Sequence, residues 1–278
     1  AGLYAERGRT LAGAYAIESA GGLAGGLLAT ACLRWGIQNF PLAVACGLIT
    51  AAAALFLLRG ARVRKHRGVA AGLAALMTIL LWQSSPLDRQ MTAWNHPGLL
   101  DTRDSPYGRI TVTTLLGQVT VFTDGALAFE TEGAEAEVFA HLTALQHPKP
   151  QSIIVLGGGI DGTVRELLRH RPARIDAVEL DPALIAMVRR RLPEEIRASL
   201  AHPSVHPITA DPRRFLKESS ASYDLILIGM PEPSSGQTNR FYTQEFFREC
   251  AVRLNPGGVI GCRLHTAENF WTPQLTRR

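Results

Sequence analysis

The run Ser152 to Asp181, SIIVLGGGIDGTVRELLRHRPARIDAVELD, narrows the fold more than any other part of the chain. It opens with Ile153 to Leu156, an uninterrupted apolar run of the kind a strand buried on both faces requires. Gly157, Gly158, Gly159 and Gly162 follow at G-x-G-x-x-G spacing. Glycines there permit a tight turn and let backbone N–H groups approach a ligand at the positive end of the next helix. Thr163 to His170 has Val164, Leu167 and Leu168 at helical spacing, with Arg165, Glu166 and Arg169 on the outer face. A second strand, Ile175 to Val178, ends in Glu179, about twenty residues beyond Gly159, where an acid receives ribose hydroxyls in nucleotide-binding folds. A glycine turn that merely packs helix on sheet is the plainer explanation. Strand, glycines, helix, strand and closing acid in that order instead predict an adenosine-type ligand at the strand ends.

The following chain repeats the alternation. Asp181-Pro182 opens a helix through Arg191, and Val205 to Thr209 is a third strand leading to Asp211. Asp224 to Ile228 is a fourth, followed by Gly229-Met230-Pro231-Glu232-Pro233. Glu245 to Leu254 is a helix, Pro256-Gly257-Gly258 a turn, and Val259 to Leu264 a fifth strand. Strands alternating with helices imply a Rossmann-like parallel sheet, with ligands at the carboxyl ends of the strands. That rule gathers Gly157 to Gly162, Glu179, Asp211 and Gly229 to Glu232 at one cleft. Upstream, Ile110 to Thr114, Gln118 to Phe122 and Ala126 to Glu130 are short β-type runs separated by Gly117 and Asp124-Gly125, which reads as a small antiparallel meander. Ala134 to Leu145 is helical, with Glu135 and Glu137 early, where carboxylates suit the helix dipole.

The first third is of another kind. Leu11 to Leu33 is long enough to cross a bilayer and carries Gly21-x-x-x-Gly25 and Gly22-x-x-x-Gly26. Glu18 inside it faces either a polar partner or the headgroups near Tyr15. Pro41 to Leu58 is a second apolar segment, and Val69 to Trp82 a third that is short for a span. All-round hydrophobic soluble helices are the alternative. The expected divisions are a membrane segment of two to three helices over 1–83, a linker over 84–104, meander and helix over 105–150, and the nucleoside-binding domain over 151–278. The absence of an initiator methionine and the stop shortly after a strand suggest a fragment of a longer chain.

The formal charge of +5 owes much to the basic run Arg59 to Arg67. No aromatic residues interleave with these charges, so no nucleic-acid partner is expected. Cys32, Cys46, Cys250 and Cys262 have neither C-x-x-C spacing nor nearby histidine clusters, so no metal site or disulfide framework is expected. Basic loops favour the cytoplasmic side. Three full crossings would then put the later domain on the opposite face, away from a cofactor made in the cell.

SPYGRITV, FTDG, HPKPQSIIVLGGGIDGTVRELLRH, VELDP, TADPRRFL, YDLILIGMPEPSS and NRFYTQEFF together resemble the spermidine synthases, the polyamine aminopropyltransferases, and in particular their membrane-fused bacterial branch. The resemblance runs from about Ser105 to Leu264, and the apolar start looks like that branch's membrane part. It implies a β-meander ahead of a methyltransferase-type Rossmann domain, and aminopropyl transfer from decarboxylated S-adenosylmethionine to an amine or polyamine. It further implies a bacterial inner-membrane location, with the cytoplasmic side favoured for the domain. The partners expected are a small-molecule amine, the lipid bilayer and, for assembly, a second copy in a homodimer.

By the same resemblance Glu179 holds the ribose, Asp211 the adenine amine, and Gly157, Gly158, Gly159 and Gly162 flank the nucleoside. Glu232, Asp161 and Tyr242 are the candidates for chemistry, with Tyr107, Asp124 and Glu137 on the amine. Asp211 has a second reading as a helix cap through Arg213, and Glu179 as the partner of an arginine. The family's aspartate after the glycine triplet is Ile160 here, with Asp161 one place late. Its D-x-x-D-P is Gly229-Met230-Pro231-Glu232-Pro233, so glycine replaces the usual proton acceptor. Its Tyr-Gln is Tyr107-Gly108, and its Tyr-His-Glu is Glu135-Ala136-Glu137. The nucleoside half is kept and the amine half depleted. A methyltransferase and a non-catalytic nucleoside- or polyamine-sensing domain are therefore the alternatives.

Overall fold

A computed structural model describes residues 11–58, 64–115, 117–131, 133–233 and 235–263. The chain divides into two compact units, residues 1–110 and 111–278.

The first unit contains α1 (Leu11–Arg34), α2 (Asn39–Leu57), α3 (Arg64–Trp82), α4 (Ser84–Asn95) and β1 (Leu99–Ser105). α1 and α2 are long and apolar enough to cross a membrane, and α3 with α4 forms a third candidate bent by 72°. Gly47 on α2 lets that helix approach α3, for a Cβ there would lie 3.0 Å from Met77 Sδ. The buried Asp104 carboxylate accepts the Asn39 N–H at 2.6 Å, satisfying a first-turn donor of α2. Composition marks 84–104 as a linker, whereas these residues form α4 and β1. Pro86 lies in the first turn of α4, where a missing N–H breaks no helical bond. β1, LLDTRDS, has no alternating pattern by which it could be read.

β2 (Gly108–Leu115), β3 (Gln118–Thr123) and β4 (Ala126–Glu130) complete a sheet of order β1-β2-β3-β4. This is the antiparallel meander with one strand more than the sequence indicated.

The second unit continues with α5 (Glu135–Ala144), β5 (Ser152–Leu156), a π-type turn (Gly159–Thr163) and α6 (Val164–Leu168). Then come β6 (Arg174–Glu179), α7 (Pro182–Val188), α8 (Glu194–Leu200), β7 (Val205–Thr209), α9 (Pro212–Glu218) and β8 (Tyr223–Ile228). α10 (Gly236–Asn239), α11 (Gln244–Val252) and β9 (Leu254–Cys262) follow. The five strands run parallel in the order β7-β6-β5-β8-β9.

Strand alternation divides the core between the two faces. Ile153 and Val155 point to one face, where Phe139, Ala140, Val164 and Leu167 cover them. Ile154 and Leu156 point to the other, against Leu216, Phe241, Phe246 and Cys250. Each fully buried aliphatic side chain contributes about 1.5–3 kcal/mol. This two-sided burial explains why β5 and β8 are continuously apolar. Pro256-Gly257-Gly258, read as a turn before the last strand, lies inside β9 instead. Gly257 has φ +79°, and the β8–β9 register shifts between Tyr223 and Leu225, so the turn signal marks a bulge.

Candidate functional site

β5 and β8 are neighbours and their carboxyl ends nearly touch. Gly157 N–H donates to Val178 O at 2.8 Å, and Gly229 N–H donates to Leu156 O at 3.0 Å. Gly157 and Gly158 have φ of +74° and +71°, conformations that side chains resist. Space makes the demand stricter. A Cβ on Gly157 would lie 2.6 Å from Met230 Sδ, and one on Gly229 would lie 2.5 Å from the Gly157 carbonyl oxygen. The turn after β5 and the loop after β8 therefore tolerate only backbone at this crossing.

Glu179 ends β6 on the other side of the glycine turn. Its Oε1 accepts the N–H groups of Leu180 at 2.8 Å and Asp181 at 3.3 Å. Burial pushes its pKa up to about 7, and bonds from Asp181, Leu180 and Gly158 N–H groups oppose that rise. A carboxylate held this way beside Gly158 stands at the strand ends with acceptor capacity remaining.

Asp211 caps α9, accepting from Arg213 N–H at 3.0 Å and Arg214 N–H at 3.2 Å. Its Oδ2 is paired with Arg240 Nη2 at 2.6 Å. The cap reading is thus realised, and any ligand here would share the carboxylate with Arg240. Tyr242 donates its hydroxyl to Met230 O at 2.7 Å, fastening the loop after β8. Burial, with Cys262 and Glu232 nearby, pushes the Tyr242 hydroxyl up to about 12, so it remains a donor at neutral pH. Glu232 is half-buried on the same loop.

Asp161 is buried and doubly bound. Its Oδ1 accepts Thr163 N–H at 2.8 Å, and its Oδ2 accepts from Arg263 Nη2 at 2.7 Å. Arg263 is a residue the sequence reading passed over. The signal for it was positional: Ile228 pairs with Cys262, so Arg263 follows the last strand where Gly229 follows its neighbour.

The amine-side candidates are dispersed. Glu137 is exposed on α5, one residue from Ala136, whose Cβ faces Gly162. Asp124 is in the β3–β4 turn with φ +51°. Tyr107 belongs to the first unit, in the turn before β2, its N–H on Ser105 Oγ at 3.1 Å. Among the described residues, no group of three His, Cys, Asp or Glu side chains is arranged to hold a metal ion.

A doubly wound parallel sheet, a glycine turn after its central strand and an acid closing the next define a Rossmann-like nucleotide-binding class. The spermine/spermidine synthase domain matches residues 132–274, just over half of the sequence. The chain belongs to that family. A polyamine aminopropyltransferase of Mycobacterium tuberculosis is 30% identical over 291 residues, covering 96% of this chain and 54% of the relative. Another, from Oceanobacillus iheyensis, is 27% identical over 271 residues, covering 92% and 53%. The chain thus spans about half the length of these curated relatives. The crystal structure of a spermidine synthase in complex with the transition state analogue AdoDATO matches with a TM-score of 0.55 at 25% identity, over 59% of this chain and 57% of that one. Spermidine synthase from Thermotoga maritima matches at 0.52 and 23% identity over 59% and 55%, and bears on the fold alone.

Proposed function

We propose that the cleft binds an S-adenosyl-type nucleoside and that the protein acts as a polyamine aminopropyltransferase-like enzyme. The observation that carries this is the Glu179 carboxylate, held beside the Gly157–Gly159 backbone at the carboxyl ends of the parallel strands. Family membership and the fold shared with spermidine synthases support it. Ribose hydroxyls would donate to Glu179, and the glycine backbone would lie along the nucleoside with no side chain intervening.

The donor would be decarboxylated S-adenosylmethionine. An amine nitrogen attacks the methylene carbon beside the sulfonium and a new C–N bond forms. The C–S bond breaks with its electron pair going to sulfur, and methylthioadenosine leaves. The nitrogen must enter neutral and lose a proton afterwards. With glycine at 229, Glu232 on the same loop takes the proton-accepting role, while Tyr242 holds that loop through Met230. Holding nitrogen, carbon and sulfur in line supplies much of the remaining rate.

The apolar helices α1 and α2, with the α3–α4 pair, would form the membrane segment, placing the protein in a bacterial inner membrane. The basic run Arg59 to Arg67 favours the cytoplasmic side for its own stretch of chain. A homodimer is the assembly proposed. The activity test is incubation with decarboxylated S-adenosylmethionine and putrescine, scored for methylthioadenosine. Release above the uncatalysed rate is expected. Nucleoside binding without release from any amine would favour a sensing domain.

A further inference from the structure

The cleft holds a cation where amine chemistry would require an anion. Arg263 Nη2 lies 2.8 Å from where a Cβ of Gly158 would stand and 3.5 Å from that of Gly229. The guanidinium therefore sits over the junction between the glycine turn and the loop after β8. Its position is fixed on two sides, by Asp161 Oδ2 at 2.7 Å and by the Phe139 ring, whose centroid lies 5.0 Å away.

The pair is unevenly exposed, the Asp161 side chain at 2% and that of Arg263 at 23%. Asp161 accepts from Thr163 N–H and from Arg263, so the carboxylate lies behind its partner and the guanidinium forms the accessible surface. Among the described residues its hydrogen-bond acceptor is Asp161, which leaves N–H donors of the five-donor fork for a ligand. Position 229 carries no acid, and one placed there would have to shift the Gly157 carbonyl, which lies 2.5 Å from where its Cβ would stand. Ile160, the other position where the resemblance calls for an acid, is apolar and buried. At this spot a dicationic amine would meet the guanidinium face, whose balancing Asp161 carboxylate lies behind it, whereas a carboxylate would meet a planar fork suited to pair with it.

Resting on the nucleoside reading of the cleft, we propose that Arg263 makes this site selective for a carboxylate-bearing substrate. The carboxylate is either on the tail of the nucleoside, as in S-adenosylmethionine, or on the acceptor, as in an ω-amino acid. Two arms separate these sources. Titration calorimetry of the full chain compares S-adenosylhomocysteine, decarboxylated S-adenosylmethionine and methylthioadenosine. Methylthioadenosine release from decarboxylated S-adenosylmethionine compares 4-aminobutyrate with putrescine. The expected result is a preference of at least about tenfold for the carboxylate-bearing member in one arm, as a charge-assisted pair would give. The double variant Asp161→Asn/Arg263→Met removes both partners and so strands no buried charge. It should abolish the preference and keep methylthioadenosine affinity. Equal or reversed preference in both arms overturns the proposal, as does a preference that survives in the double variant. Failure of methylthioadenosine and both other nucleosides to bind would instead remove the nucleoside reading, and this proposal with it. Methylthioadenosine binding without carboxylate preference removes only the latter.

Discussion

At Glu179 the proposed nucleoside site would link binding to pH. Its folded pKa is raised from 4.5 to about 7, chiefly by burial, so the folded protein holds this proton more tightly than the unfolded chain does. The sign follows directly: as pH rises from 4.5 to about 7, this group lowers the stability of the unliganded protein, and the loss is complete above the folded value. On the proposed reading, ribose hydroxyls donating to the carboxylate would favour its charged form. Methylthioadenosine should therefore bind more tightly above about pH 7 and weaken as the pH falls through it, which calorimetry across that interval measures. Glu179→Gln should weaken binding at least about tenfold, a loss of about 1.4 kcal/mol, and flatten the pH profile. Unchanged affinity would put the pocket elsewhere. Gly229 supplies the complementary case. Restoring an acid there by Gly229→Asp should not raise methylthioadenosine release, because the side chain must displace the Gly157 carbonyl. Overpacking of this kind costs about 1–3 kcal/mol, visible as a lowered denaturant midpoint.

The elements around the cleft divide the labour between support and chemistry. Asp211→Ala should cost about 1 kcal/mol through the lost cap of α9, read from a urea transition. Glu232→Gln on the loop after β8 should lower methylthioadenosine release about tenfold or more, as loss of a general base does, with nucleoside affinity nearly unchanged. Equal losses in both would count against proton transfer. The parallel sheet was legible because β5 and β8 are buried on both faces and so write uninterrupted apolar runs into the sequence. Gly157 and Gly158 were legible because their backbone angles and close contacts admit little else. β1 was not legible, since a partly exposed strand of mixed polarity carries no period, and α4 was hidden by a proline that the first turn tolerates. The pairing of Asp161 with Arg263 was hidden for a different reason. It joins residues 102 positions apart, and no local pattern records which strand end faces which turn.

For the molecule as a whole, the apolar helices pose a problem of solvation. The 23-residue candidate span in α1 has none of its most apolar window buried, and Tyr15, Ile17, Leu23, Leu27 and Leu28 are all exposed. At about 1.5 Å per residue such a helix is roughly 34 Å long, against a hydrocarbon thickness of about 30 Å. α2, with 19 residues, is about as long as that thickness, and its window is 11% buried. Water is a poor solvent for a surface this size, and monomeric soluble proteins rarely expose contiguous apolar patches beyond a few hundred Å². A bilayer removes the cost, and Gly21, Gly22, Gly25 and Gly26, where an added Cβ meets nothing within 4 Å, leave α1 open to close approach by another helix. The full chain should therefore stay with membranes through carbonate washing and need detergent for release, whereas a chain starting at Gln83 should partition into the aqueous fraction. Methylthioadenosine affinity of the shortened chain gives the control, because the cleft residues all lie within 111–278 and should bind as in the full chain. Release of the whole 278-residue chain by carbonate alone would exclude the membrane segment and require a protein partner to cover α1 and α2.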